Sequence, residues 1–284
     1  MLWEILKAGR TNNSDDLFTR LAARRVSVSK RGYIVLPHDI GTFNATANGN
    51  NIIWEYNGER IQGETCTFNI TNDYSTIRIA FDEALEKLEI KNNSALKADL
   101  SDLGGKLTYY LNLYNCKNIT GSLADLGGKL THYLSLYNCR NITGSLADLG
   151  GKLDNTLSLS ECSNITGSLA DLGGALTYFL DLSRCSNITG SLADLGGALT
   201  YFLSLSGCQK ITGVYSGNSY PTVVNLSYTG LTAADMDQTL INFNAGATRS
   251  GTFTAKGMTR TAASDDAVAG LTANGWTITG LTKV

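Results

Sequence analysis

Proline is almost missing from this chain: Pro37 and Pro221 are the only two in 284 residues. That excludes proline-rich spacers and extended polyproline segments. Histidine is as scarce, with His38 and His132 alone. No CxxC pair occurs either, so a zinc site lacks its usual ligands. No window approaches 18 uninterrupted apolar residues, which leaves no segment suited to membrane insertion. An excess of one charge is lacking too: 23 basic residues face 25 acidic ones, a net charge of −2. A surface that tracks nucleic-acid phosphates needs clustered Lys and Arg, so nucleic acid is not an expected partner.

Catalytic signatures are missing as well. There is no nucleophile elbow, P-loop, HExxH or strand-borne GxGxxG. The carboxylate pairs Asp15/Asp16 and Asp265/Asp266 fall at expected helix starts, where they act as capping charge rather than as a glycosidase pair. The expectation is a protein that is not an enzyme and uses no metal or cofactor. The first residues, MLWEILKAGRTNNSDD, have no basic n-region and no long apolar h-region. They predict synthesis in the cytoplasm, followed by retention there or by a non-classical route to a virion or cell surface.

What the chain has in abundance is repetition. The run NITGSLADLGG occurs four times, starting at Asn118, Asn141, Asn164 and Asn187, and Ala95–Lys117 is a diverged copy in the same register. Each unit carries an L-x-L pair: Leu111/Leu113, Leu134/Leu136, Leu157/Leu159, Leu180/Leu182 and Leu203/Leu205. A period-2 apolar pair is a short strand with one buried face, and such units stack strand on strand. Ser122 and Asp125 form a variant capping box that starts a helical turn, and Gly127 and Gly128 stop it. Five of the six cysteines (Cys116, Cys139, Cys162, Cys185, Cys208) lie 23 residues apart. They predict a column of buried, reduced thiols. Asn-Ile-Thr matches the glycosylation acceptor pattern but reads here as turn chemistry. The Asp125, Asp148, Asp171 and Asp194 column reads as helix-start capping rather than calcium ligation.

These features resemble the leucine-rich repeat family, whose consensus L-x-x-L-x-L-x-x-N/C-x-L appears in this chain as THYLSLYNCRNI. The resemblance implies an α/β leucine-rich repeat solenoid, with parallel strands on the concave face and short helical or 3-10 turns on the convex face. Leu88, Ile90 and Asn93 stand one period before Leu111, Leu113 and Cys116. Downstream, VVNLSYT, GTFTAKGM and GWTITGL offer further strands, with Trp276 again 23 residues after Phe253. About nine rungs at ~4.8 Å each would make a stack roughly 40 Å long.

Residues 14–25, SDDLFTRLAARR, predict a short helix with Ser14 as its cap. From residue 26 to 83 the pattern changes to strands: VSVS, YIVLP, TFNAT, NIIWEY, CTFNI and STIRIAF, as in a small antiparallel β-sandwich. This stretch resembles PKD/Ig-like modules, although Asn57-Gly58 replaces their acidic signature. The closing segment, with the phrase GWTITGL, resembles the ends of repeat proteins in phage tail fibres and gut-bacterial surface proteins. The expected organisation is a helical segment at 1–25, a β-sandwich at 26–83, leucine-rich repeats at 84–213, and further repeats with a cap at 214–284.

Differences among the units concentrate in the strands. One outward column reads Tyr110, Tyr133, Thr156, Phe179, Phe202, and the next reads Asn112, Ser135, Ser158, Asp181, Ser204. A third begins Tyr114, Tyr137, Ser160, with Glu161 and Arg184 in the column beside it. Such a face suits a docking surface, because tyrosine gives large contact area at little entropic cost. Exposed positions that drift while buried ones cannot would leave the same pattern. The candidate ligand-binding residues are therefore Tyr110, Asn112, Tyr114, Tyr133, Ser135, Tyr137, Glu161, Phe179, Asp181, Arg184, Phe202 and Ser204. The expected function is adhesion or receptor binding to a protein or cell-surface glycan, in a phage or prophage tail or on a bacterial surface. Other tail or virion subunits would dock through the N-terminal region. The alternative is a cytoplasmic interaction scaffold or effector.

Overall fold

A computed structural model describes residues 31–284; the helix expected at 14–25 and the strand expected at 26–29 lie outside the described residues. Alternating burial of Ile34 and Leu36 makes β1 (Arg31–His38) a half-buried strand. It pairs antiparallel with β5 (Ser75–Glu89), Ile34 opposite Ile79. Between them run β2 (Gly41–Tyr56), β3 (Glu59–Gln62) and β4 (Thr65–Ile70).

TFNAT and NIIWEY, expected as two strands, are the two halves of β2. The NGNN sequence bends the strand rather than ending it: Asn51 takes a left-handed φ of 52°, and the register against β5 shifts between Asn48 and Ile53. The shift also moves the buried set from Phe43, Ala45 and Ala47 to Ile52, Trp54 and Tyr56. Alternation alone would have sent the second set to solvent. Phe43 and Trp54 end with ring centroids 6.3 Å apart, where a straight strand would hold them roughly 35 Å apart. The strand therefore folds over, and both halves share one core.

No sheet boundary separates this region from the repeats. The far half of β5 pairs in parallel with β6 (Leu107–Asn112), Leu88 opposite Leu111. The repeats continue as β7 (Tyr133–Ser135) and β8 (Thr156–Ser158). After β9 (Gly167–Ser168) come β10 (Phe179–Asp181), β11 (Ile188–Ser191), β12 (Phe202–Ser204), β13 (Lys210–Thr212) and β14 (Val223–Asn225). The chain closes with β15 (Thr252–Arg260) and β16 (Thr277–Lys283). The molecule is mainly one large, mostly parallel sheet of 13 strands, to which β3 and β16 belong as its two ends. The strands β9, β11 and β13 make a small second sheet on the return side of the units.

Each central unit repeats the same local chemistry. Ser122 accepts from the Ala124 amide, Asp125 accepts from the Ser122 amide, and Leu123–Leu126 forms a single 3-10 turn. Gly127 ends the turn at φ 66°, the left-handed region. Gly144 is required for a different reason. A Cβ there would stand 2.8 Å from the Leu123 nitrogen and 2.7 Å from Ser122 Oγ of the preceding unit. The Asn-Ile-Thr run indeed serves the backbone, but that of the unit before it. Asn141 Nδ2 donates to the Lys117 carbonyl at 3.1 Å and Thr143 Oγ1 to the Gly121 carbonyl at 3.2 Å.

The thiols line the interior. Cys139 Sγ donates to the Leu113 carbonyl at 3.2 Å, Cys162 to Leu136 at 3.1 Å and Cys185 to Leu159 at 3.1 Å. All six cysteines are free and buried. Burial pushes the Cys116 thiol up to about 11 and that of Cys162 to about 12. These thiols are small packed groups with a weak donor, not nucleophiles.

The regular spacing ends after β12. Val224 lies opposite both Leu203 and Phe253. Phe253 in turn lies opposite Ile278, not Trp276 as the spacing predicts. The longer β14–β15 connection contains the helix Ala233–Gly246, started by a Thr232/Asp235 capping box. Its Phe243 packs against the rings of Tyr215, Tyr220, Phe253 and Trp276, with centroids 4.8 to 5.7 Å away. Trp276 is thus a member of the terminal core rather than a ladder residue. Among the described residues, no helix is long and apolar enough to cross a membrane.

Candidate functional site

In-register parallel pairing puts Leu111, Leu134, Leu157, Leu180 and Leu203 side by side, pointing inward. Their strand neighbours then form columns on the opposite face. Rings in one column meet flat: Tyr110 on Tyr133 at 4.2 Å and Phe179 on Phe202 at 4.4 Å. Tyr114 stacks on Tyr137 at 4.6 Å.

The middle column behaves differently from a plain exposed row. Asn112, Ser135, Ser158 and Ser204 are buried although they lie on the outward face, because the flanking columns cover them. Their polar atoms are used locally. Asn112 Oδ1 accepts from the Tyr114 amide and its Nδ2 donates to the Tyr110 hydroxyl. Asp181 Oδ1 accepts from the amide and hydroxyl of Ser183, at 3.0 and 2.6 Å. Ser183 is also 2.6 Å from Ser204 Oγ. Burial raises the Asp181 carboxyl above its ordinary value; the Ser183 donors oppose that and the charge of Glu161 adds to it.

Glu161 and Arg184 stand one column further along, and the structure pairs them: Arg184 Nη1 lies 2.5 Å from Glu161 Oε1, and Arg140 Nη2 lies 3.2 Å from Oε2. Both occupy left-handed backbone, at φ 69° and 63°. In the same column Asn138 donates to Asn115 and Asn115 to Asn92, an amide ladder that the Glu and Arg interrupt.

The sequence reading missed a further aromatic column. Tyr109 stacks on His132 at 4.5 Å and Tyr178 on Tyr201 at 4.9 Å. Tyr178 and Tyr201 are 46% and 42% exposed, more than most rings of the chosen columns. Tyr109 lies within β6, whereas His132, Tyr178 and Tyr201 stand just before β7, β10 and β12; comparing the units one position earlier would have found the column. His132 is placed by Tyr109 and by Asp154, whose carboxylate lies 2.9 Å from Nδ1.

Both the Tyr109 and Tyr110 columns break in the same unit, where Asn155 and Thr156 stand in place of rings, and both resume in the next. At this break lies a depression of about 420 Å³. Tyr133 and Tyr137 form one wall, Tyr178 and Phe179 the other, with Thr156 and Ser158 as the floor and Asp181 at the far side. The structure therefore brings Tyr114, Tyr133, Ser135, Tyr137, Phe179 and Asp181 to one depression. Tyr110 and Phe202 stand behind its walls as stacking partners. Among the described residues, no group of three or more His, Cys, Asp or Glu could hold a metal ion. Comparison with protein-family models, with curated proteins and with solved structures finds no match.

Proposed function

We propose that the protein is a binding module of the leucine-rich repeat solenoid type, which holds its ligand on the concave strand face and performs no chemistry on it. One observation carries this reading: two stacked aromatic columns stop at the same unit and leave a depression between ring walls, with a carboxylate beside it. Stacked rings are rigid, so little conformational entropy is lost when they bury against a ligand. The resemblance of the closing segment to phage tail fibre and gut-bacterial surface repeats supports adhesion or receptor recognition as its use.

The test is a glycan array together with a pull-down of surface proteins, using the full chain and a variant with Tyr110, Tyr133, Phe179 and Phe202 all changed to Ala. Circular dichroism and thermal melts check that the variant folds. Loss of the captured ligand by a folded variant is the expected result. Ligand retained through all four changes would refute the face as the site.

A further inference from the structure

The break in the Tyr110 column has a definite width. Neighbouring rungs are ~4.8 Å apart, so Tyr133 and Phe179 face each other across two rungs, roughly 9.6 Å. A flat group midway would lie ~4.8 Å from each ring, within the ~6 Å range at which a cation is attracted to an aromatic face. Thr156, on the floor, is too short to fill that space.

The chain fills the corresponding position at the other end of the same column with its own cation. Lys87 lies opposite Tyr110 in the parallel ladder, and its Nζ is 4.8 Å from the Tyr110 ring centroid. Glu89, in the adjacent column, accepts from the Tyr110 hydroxyl at 2.9 Å and lies 3.8 Å from Lys87 Nζ. The motif is thus a cation on a ring face with a carboxylate one column across. At the break the ring faces are present twice, and Asp181 stands in the carboxylate column. Asp181 Oδ1 is taken by Ser183, and among the described residues no cation pairs with the carboxylate. Glu161 beside it has the same sign, and Arg140 and Arg184 are engaged with Glu161.

We propose that this gap receives the guanidinium of an arginine side chain from a partner protein, sandwiched between Tyr133 and Phe179 and bonded to Asp181. The proposal rests on the binding-face reading above and names its ligand chemistry. A guanidinium suits the gap better than an ammonium, because it is planar, stacks on both faces and presents a fork to a carboxylate. A neutral sugar ring would stack equally well but would leave the half-buried carboxylate without a counter-charge.

The experiment titrates N-acetyl-L-arginine amide into isotopically labelled full-length protein and follows the amides of Tyr133, Thr156 and Asp181 by NMR. The lysine amide and a set of neutral monosaccharides are run in parallel. The arginine probe is expected to shift these amides in a saturable way and to bind more tightly than either alternative. Two variants are expected to weaken it at least tenfold: Asp181→Asn removes the carboxylate, and Thr156→Phe fills the gap by completing the ring column. Thr156→Phe should also leave the melting temperature unchanged or higher, which separates lost binding from lost folding. Equal binding by both variants, no saturable shift, or stronger binding by a monosaccharide would overturn the proposal. If arginine fails while the four-ring variant still loses its captured ligand, the binding face stands and only the arginine assignment falls.

Discussion

The central units and the C-terminal end close the same sheet by opposite means. From Leu134 to Leu203 every rung is held by small identical bonds: a Ser/Asp capping box, an Asn to the previous unit's carbonyl, and a thiol to a buried carbonyl. No one of them is irreplaceable, because each recurs at every unit. Beyond Val223 the bonds are singular: one ring cluster around Phe243, and one buried carboxylate, Asp237, holding Thr261 and Ser264. Repetition spreads stability along the array, whereas an end must concentrate it, since nothing stacks on its far side.

The largest effect that tests this contrast is Phe243→Ala. Removing the ring at the centre of the terminal cluster is expected to cost ~3–5 kcal/mol. Hydrogen exchange should show residues beyond about 215 losing protection before the central units do. Uniform loss along the whole chain would show that the end is not a separate point of weakness.

Next in size is Asp237→Ala, at about 2–3 kcal/mol, because the donors of Thr261 and Ser264 are left without their acceptor. Burial acts against the Asp237 charge, but the Ser264 and Thr261 donors, with Arg260, outweigh it and hold the carboxyl below its ordinary value. A lowered folded pKa means that the contribution is present above the unfolded value of ~3.9 and is lost as pH falls through the folded one. The wild-type end should therefore loosen in acid, and Asp237→Asn should loosen less steeply. Identical acid profiles for the two proteins would remove Asp237 from this role.

The smallest effect belongs to the repeats. Glu161 is a bulky side chain in left-handed backbone, where its neighbours in the column are Asn115 and Asn138. Glu161→Asn relieves a conformational cost of ~1 kcal/mol and loses two ion pairs whose arginines are well exposed. A gain of less than ~1 kcal/mol in denaturant titrations is expected. A loss would mean that the Arg140–Glu161–Arg184 cluster outweighs the backbone.

The repeats were legible because identical units face identical neighbours, so one reading of Ser122, Asp125, Gly127 and Cys139 serves all of them. Two features were not. TFNAT and NIIWEY read as two separate strands, and only long-range packing of Phe43 on Trp54 decides that β2 bends through NGNN between them. Trp276 matched the period, but the helix Ala233–Gly246 and its Phe243 set the local register instead. At the candidate site, the outward direction of the columns followed from Leu111 and Leu113. The burial of Asn112 and Ser135 did not, because it depends on how far the flanking rings lean over them. Tyr178 and Tyr201 escaped because they precede the residues that pair as strand.

The equal length of the units has a consequence for how this protein can change. Identical stretches in one gene can misalign when DNA recombines, and the unit of loss or gain would be the 23 residues separating Leu134 from Leu157. Excising Asn141 through Ser163 would join Arg140 to Asn164 with every capping box intact. It would also carry away Thr156 and set Tyr133 one rung from Phe179, closing the gap between them. A second copy of the same stretch would widen the gap by one rung. Because the units repeat the same caps and buried residues, such editing would alter the spacing of the aromatic walls in whole-rung steps without redesign of the interior.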